Sequence, residues 1–281
     1  MSDLPTPTIT ITQEQVEFFR TNGFLAIQSI TTPDEIERMR AAYDDIFTRR
    51  AGRDDGMEFD LGGADEDDQV AVLPQILDPL RYAPGLRNSL YQANALAISK
   101  QLLGEQAQPH GSHAIFKPAR YGSVTPWHQD EAYWSPDFIY NSLGVWMPLQ
   151  EATLENGCMQ FIPGSHRLEI LPHHHINNDP RIHGLEVDEG VIDLCPAVAC
   201  PLSAGGATFH FSRTFHYTGP NRSDIPRRAL ILGFGTPAIR RDQPLDLYWQ
   251  RQTNTTAAKK REAAARRQAK KEGEKGETVK G

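Results

Sequence analysis

The stretch from Arg213 to Phe234 reads RTFHYTGPNRSDIPRRALILGF, and its reading decides the fold. Two segments rich in aromatic, β-branched and aliphatic residues, RTFHYTG and RRALILGF, flank the run Gly219-Pro220-Asn221-Arg222-Ser223-Asp224. Gly frees φ, Pro fixes it, and Asn and Asp capture the backbone with their side chains. The run therefore predicts a connection between two neighbouring strands. Working outward, the same texture holds from Gly111 to about Thr236, where HAIFKP, SLGVWMPLQ, GCMQFIP and GATFHF alternate with turn residues. Such spacing predicts an all-β sandwich or barrel.

Helical signals lie upstream. Thr12 and Gln15 form a capping-box pair ahead of Val16, Phe18 and Phe19, with Gly23 as a stop. Thr32, Pro33 and Glu35 start a second helix, in which Ile36, Met39, Tyr43 and Ile46 recur at helical spacing. A third helical region runs from about Pro84 to Leu103. The expected fold is mainly β, a jelly roll with flanking α-helices.

The chain has 281 residues, enough for one large core, and 39% of them are apolar. No apolar run approaches the length of a membrane span, and MSDLPTPTIT lacks the basic start and apolar stretch of a secretory signal. Three cysteines, Cys158, Cys195 and Cys200, fit a reducing compartment, so a cytoplasmic location is expected. Net charge is −7, although residues 251–281 hold ten Lys and Arg against four Glu. The acidic body argues against nucleic acid and leaves a small-molecule partner as the expectation. Residues 1–250 read as the folded domain. Residues 251–281, a basic low-complexity tail with almost no apolar face, read as disordered. The charged, Gly-rich segment Arg49–Asp68 reads as a mobile solvated loop, or else a lid.

The chemistry gathers around Trp127-His128-Gln129-Asp130. On an extended segment residues i and i+2 point the same way, so His128 and Asp130 can offer a nitrogen and an oxygen to one ion. His216 lies 86 residues beyond Asp130 in a strand-like stretch. Two imidazoles and a carboxylate on one face of an iron leave the other face open for dioxygen and an organic co-substrate. His-x-Asp alone is a weak signal, since most such residues merely satisfy hydrogen bonds. Arg227, eleven residues after His216, adds weight: a fork on the adjacent strand suits the distal carboxylate of 2-oxoglutarate. Thr218 shares a face with His216 and can assist. A zinc hydrolase would leave Arg227 and Thr218 unexplained. Arg228 should point the opposite way, and Gln129 should face away from the metal. The run His173-His174-His175 reads as solvated or at a rim, and His210 as core support. Tyr133, Trp134, Phe138 and Tyr140 read equally as substrate channel or as core.

With these residues in view, the chain resembles the phytanoyl-CoA dioxygenase (PhyH) family of Fe(II)/2-oxoglutarate oxygenases. TQEQVEFFRTNGFLAI, PWHQD, VWMPLQEATLENGCMQFIPGSHR and TFHYTGPNRSDIPRRA carry the resemblance in order and spacing across most of residues 12–236. It implies a cupin-like double-stranded β-helix with iron at its open mouth, and His128, Asp130 and His216 as ligands. It implies that Arg227 and Thr218 hold 2-oxoglutarate, that Trp146 packs in that pocket, and that His113 makes a further contact. Fe(II), 2-oxoglutarate and O2 are the implied reagents. The expected reaction is oxidation, in the first place hydroxylation, of an unactivated C–H of a small organic molecule, as in secondary metabolism. Succinate and CO2 are released. The alternatives are an acyl-CoA hydroxylase of the phytanoyl-CoA type and a non-catalytic binding protein on the same fold. Asp130 argues against a halogenase, which needs a small residue there.

Overall fold

A computed structural model of the chain describes residues 4–66 and 69–278. The first elements are α1 (Gln13–Asn22), β1 (Phe24–Ile27), α2 (Pro33–Thr48), β2 (Glu58–Asp60), β3 (Pro74–Leu77), α3 (Pro79–Tyr82) and α4 (Leu90–Leu103). Next come β4 (Gln108–Lys117), β5 (Thr125–His128), β6 (Phe138–Ile139), β7 (Ser142–Pro148), β8 (Met159–Phe161), β9 (His173–His175), β10 (Leu185–Val187) and β11 (Val198–Cys200). The last are β12 (Ala207–Phe211), β13 (His216–Thr218), β14 (Arg227–Gly235), β15 (Ile239–Arg240) and α5 (Thr256–Thr278). Both sequence-read caps are present: Thr12 with Gln15 closes the box at α1, and Thr32 caps α2 ahead of Pro33. The third helix begins only at Leu90, capped by Ser89, after the separate short turn Pro84–Leu86.

Two antiparallel sheets form the jelly roll. The larger runs β1-β12-β7-β14-β4-β3-β2 and the smaller β11-β8-β13-β5. Period-two alternation assigns each face. On β14, Leu230, Leu232 and Phe234 join a core cluster with Phe19, Ile36, Met39 and Tyr91 from the helices. The intervening Ala229 and Ile231 pack with Met159 and Phe161 of the smaller sheet. Burying each large apolar side chain contributes roughly 1.5–3 kcal/mol, so the strand cannot slip by one residue without exposing a full set of them. Arg227 belongs to the inward set and Arg228 to the outward one. Tyr43 and Tyr91 tie the helices to the sheet through hydroxyls that donate to the carbonyls of Ala229 and Val145.

Two expectations are corrected here. The segment Arg49–Asp68 is not a solvated loop over its described part: Glu58, Phe59, Asp60 and Asp65 are buried, and β2 closes the sheet edge. The Asp60 carboxylate accepts from the backbone N–H groups of Gly62, Val72 and Leu73 at 2.9–3.0 Å. Asp65 accepts from Asp60 N–H and Arg53. Asp60 and Asp65 are thus consumed as internal turn acceptors, and Glu58 pairs with Arg50 and Arg53. Residues 67 and 68 lie outside the described residues. Within the tail, Thr256–Thr278 is helical: Ala257 is buried with Phe59, Leu61 and Leu73, and Arg261 donates to the Gly56 carbonyl at 2.8 Å while its guanidinium lies 5.5 Å over the Phe59 ring. High helix propensity of its Ala, Lys and Arg and a single apolar anchor suffice, without an amphipathic stripe. Residues 279–281 lie outside the described residues. Among the described residues no helix is long and apolar enough to cross a membrane.

Candidate active site

β5 and β13 lie side by side with His216 directly opposite His128 in the ladder. Asp130 follows β5 at the start of a short helical turn. One donor atom from each of His128, Asp130 and His216 comes within 4.8 Å of the others, a spacing that can hold a metal ion. Nε2 of His128 and of His216 stand 3.7 and 3.5 Å from Asp130 Oδ1. Nδ1 of His128 faces the Pro126 carbonyl at 2.7 Å, and Nδ1 of His216 the Thr214 carbonyl at 2.9 Å. A carbonyl only accepts, so each Nδ1 carries the proton and each Nε2 turns a lone pair to the common point. Burial, followed by the neighbouring His216, pushes the His128 imidazole below its ordinary range, toward the neutral form a metal needs. Burial alone would raise the Asp130 carboxyl. The three imidazoles around it, His216 first and then His128 and His210, outweigh burial and hold the carboxyl well below its usual range. Two neutral imidazoles and one carboxylate with an open side fit ferrous iron.

Arg227 enters the same cavity from β14. It is 1% exposed; its guanidinium lies 5.4 Å over the Trp146 ring and, among the described residues, its Nε has no partner while Nη1 lies 3.5 Å from the Ile115 carbonyl. Burial pulls its pKa down to about 10, so it stays charged at neutral pH. A buried cation with idle donors is costly unless an anion completes it. Thr218 and Thr125 stand at the same end, their hydroxyls 3.0 Å apart. Arg228 points away and grips Asp44 through both oxygens at 2.5 and 2.9 Å.

The cavity measures about 310 Å³ and continues to a more exposed end lined by Leu61, Leu77, His110, Tyr133, Trp134 and His183. Among the described lining residues Asp130 and Arg227 are the only Asp, Glu, Lys or Arg. Burial pushes His113 down to about 4 and His183 to about 3, so both are neutral. Gly144 and Gly233 face each other across β7 and β14 and hollow the sheet. A Cβ on Gly233 would fall 2.8 Å from the His110 ring. His110 Nε2 lies 2.6 Å from Ser142 Oγ, whose proton goes to the Phe234 carbonyl. His110 therefore donates from Nε2, and its neutral form keeps a lone pair on Nδ1.

Comparison with known proteins agrees with this geometry. The family model described as phytanoyl-CoA dioxygenase (PhyH) matches residues 19–229. The chain belongs to the PhyH family. It is 26% identical over 226 residues to a probable alpha-ketoglutarate-dependent hypophosphite dioxygenase of Stutzerimonas stutzeri, covering 79% of this chain and 77% of the relative. EvdO2 from Micromonospora carbonacea var. aurantiaca is similar in structure, with 41% identity, a TM-score of 0.75, and coverage of 87% of this chain and 99% of EvdO2. EvdO2 has also been crystallised with 2-oxoglutarate, and that structure matches at 39% identity and a TM-score of 0.73 over 87% and 99% of the two chains. The carbocyclase SnoK from nogalamycin biosynthesis, 23% identical with a TM-score of 0.66 over 88% of this chain and 94% of SnoK, shares the fold. This PhyH-family chain is a 2-oxoglutarate-dependent dioxygenase whose reagents are Fe(II), 2-oxoglutarate and O2.

In this PhyH-family site the residues read from sequence fall together: His128, Asp130, His216, Arg227, Thr218, Trp146 and His113 all line one cavity. Tyr133 and Trp134 line it too, whereas Phe138 and Tyr140 do not; Tyr140 packs edge-on against Trp134 instead. Gln129 does face away: its amide bonds the carbonyls of Glu169 and Arg213 and the N–H of Leu171, clamping the peptide between His128 and Asp130. The histidine run is not solvated. His173 and His175 are buried, and His173 Nε2 accepts from the Gln129 N–H at 3.2 Å. The strand pair β9–β10 turns alternate residues inward, a period-two signal already present in HHH. His210, read as core support, lines the cavity beside Asp130. No local motif marks it, because β12 brings it in from another part of the sheet.

Proposed function

We propose that His128, Asp130 and His216 hold the iron, that Arg227 with Thr218 receives the distal carboxylate of 2-oxoglutarate, and that the enzyme hydroxylates an unactivated C–H of a small uncharged molecule. The observation that carries this reading is Arg227, a buried cation with idle donors in the cavity the triad lines. Its planar fork suits a carboxylate held at two points, and Trp146 fixes its plane by stacking. When bound, iron supplies the redox chemistry that couples decarboxylation of 2-oxoglutarate to succinate and CO2 with oxidation of substrate. The chain's residues do the rest. His128 and His216 offer neutral nitrogens because backbone carbonyls hold their other protons. Tyr133 and Trp134 wall the cavity and limit water.

The lining also bears on the substrate. Among the described residues no Lys or Arg other than Arg227 lines the cavity to meet the phosphates of an acyl-CoA. The more exposed end instead offers aromatic rings, imidazoles and, in the neutral form of His110, an Nδ1 lone pair that can accept from a hydroxyl or amine. A metabolite screen with Fe(II), 2-oxoglutarate and O2, read by mass spectrometry, tests this. An uncharged compound should accelerate 2-oxoglutarate consumption and return a product heavier by one oxygen atom. Activity confined to CoA thioesters, or no 2-oxoglutarate consumption at all, would contradict it.

A further inference from the structure

The Asp130 carboxylate divides its oxygens between different neighbours. Oδ1 faces the two ligand histidines, while Oδ2 faces Nε2 of His210 at 3.5 Å. We infer that His210 is a positioning residue, whose Nε2–H engages Oδ2 so that Asp130 presents a single oxygen to the metal. The inference rests on the ligand assignment above. A carboxylate free to turn can chelate through both oxygens and occupy a position that 2-oxoglutarate or dioxygen needs. A donor on the second oxygen prevents this.

Three observations support the role. His210 sits on β12 opposite Gly144 of β7. A Cβ at residue 144 would lie 3.0 Å from His210 Cε1 and Nε2 and 3.7 Å from Asp130 Oδ2. Glycine thus clears the space in which imidazole meets carboxylate. The His210 ring is also held in place, with centroids 5.3 Å from Phe161 and 4.6 Å from His216. Finally, His210 Nδ1 is buried without a hydrogen-bond partner. His166 and His183 likewise leave Nδ1 idle, but at His210 the other nitrogen is the one that faces Asp130 Oδ2, and with no acceptor at Nδ1 the ring's proton is favoured at Nε2, where it can meet that oxygen.

Anaerobic titration with Co(II), read by its visible absorption, tests the role in the full chain without turnover. His210→Phe should weaken Co(II) binding roughly ten- to a hundredfold and change the absorption spectrum, because the carboxylate's coordination changes. His210→Gln, whose amide nitrogen can reach toward Oδ2, should restore affinity and spectrum. Gly144→Ala, which crowds an intact His210, should move both toward the His210→Phe values. Wild-type affinity and spectrum in His210→Phe would overturn the inference, as would His210→Gln behaving like His210→Phe. Should His210→Phe fail to fold, His210→Gln and Gly144→Ala decide: a wild-type spectrum in Gly144→Ala overturns the role. His128→Ala is the control. If it binds Co(II) like the wild type, the ligand assignment falls and this inference with it. If it loses Co(II) while His210→Phe keeps wild-type behaviour, only the role of His210 falls.

Discussion

At the buried end of the cavity, around Arg227 and the triad, charge is concentrated and protons are assigned: two imidazoles are locked to one tautomer and a guanidinium waits over Trp146. At the more exposed end, around His110, Trp134 and His183, no Asp, Glu, Lys or Arg among the described residues lines the cavity, and the surfaces are aromatic rings and imidazoles. On the proposed assignment the first arrangement serves any substrate, because it receives reagents common to the whole reaction class. The second differs in chemical character and comes from segments far apart in the chain. The contrast teaches that chemistry and specificity are built separately here, so substitutions at the two ends should fail in different ways.

The largest expected effect is at the buried end. His128→Ala or His216→Ala removes one of three donors and should abolish tight Fe(II) binding and turnover; either variant binding iron normally would break the contrast at its root. Next is Arg227→Ala. Hydrogen bonds to charged groups are worth about 1.5–3 kcal/mol each, so the 2-oxoglutarate requirement should rise roughly tenfold to several hundredfold. Arg227→Lys should recover only part, since an ammonium lacks the fork. A 2-oxoglutarate titration of turnover measures both.

Acid should act on the layer behind the ligands. Burial pushes His173 down from its ordinary 6.5 to about 4. As pH falls below 6.5 the unfolded chain takes up this proton and the folded one does not. Stability fully present above 6.5 should therefore be lost toward pH 4, by up to roughly 3 kcal/mol from this residue. Urea unfolding at several pH values reads the loss, and His173→Gln should flatten it. Truncation after Gln250 removes Ala257 and Arg261 from Phe59. It should lower stability by about 1–3 kcal/mol, seen in thermal melts; an unchanged melt would mean the docked turns contribute nothing. The smallest effect is Arg228→Ala, which loses a partly exposed ion pair with Asp44 worth about 0–1 kcal/mol and should leave the 2-oxoglutarate requirement alone.

The same contrast explains what was legible in the sequence. His128 ends β5 and Asp130 follows two residues on, across a Gln129 still in extended geometry, so strand periodicity put these two on one side. The expected neighbouring strands are not paired: the run after His216 carries the chain from β13 in the smaller sheet to β14 in the larger, and Arg227 reaches the cavity from the facing sheet. Arg227 and Arg228 separated as period two requires. The jelly roll was legible because short apolar segments and turn residues alternate regularly. His210 was not, because its approach to Asp130 depends on β12 pairing with β7 and on the missing side chain at Gly144. The acidic segment misled because burying carboxylates such as Asp60 is expensive unless backbone N–H groups converge on them, and convergence is a property of the folded turn. The tail misled because Ala257 is a small anchor and Arg261 docks through its guanidinium rather than an apolar face.

Succinate formation from 2-oxoglutarate with Fe(II) and O2, measured without added substrate, tests the central claim most directly. Wild type and Arg228→Ala should release succinate slowly and equally at a fixed, subsaturating 2-oxoglutarate concentration, Arg227→Ala less, and His128→Ala none. Succinate from His128→Ala at the wild-type rate, or a larger loss in Arg228→Ala than in Arg227→Ala, would contradict the account.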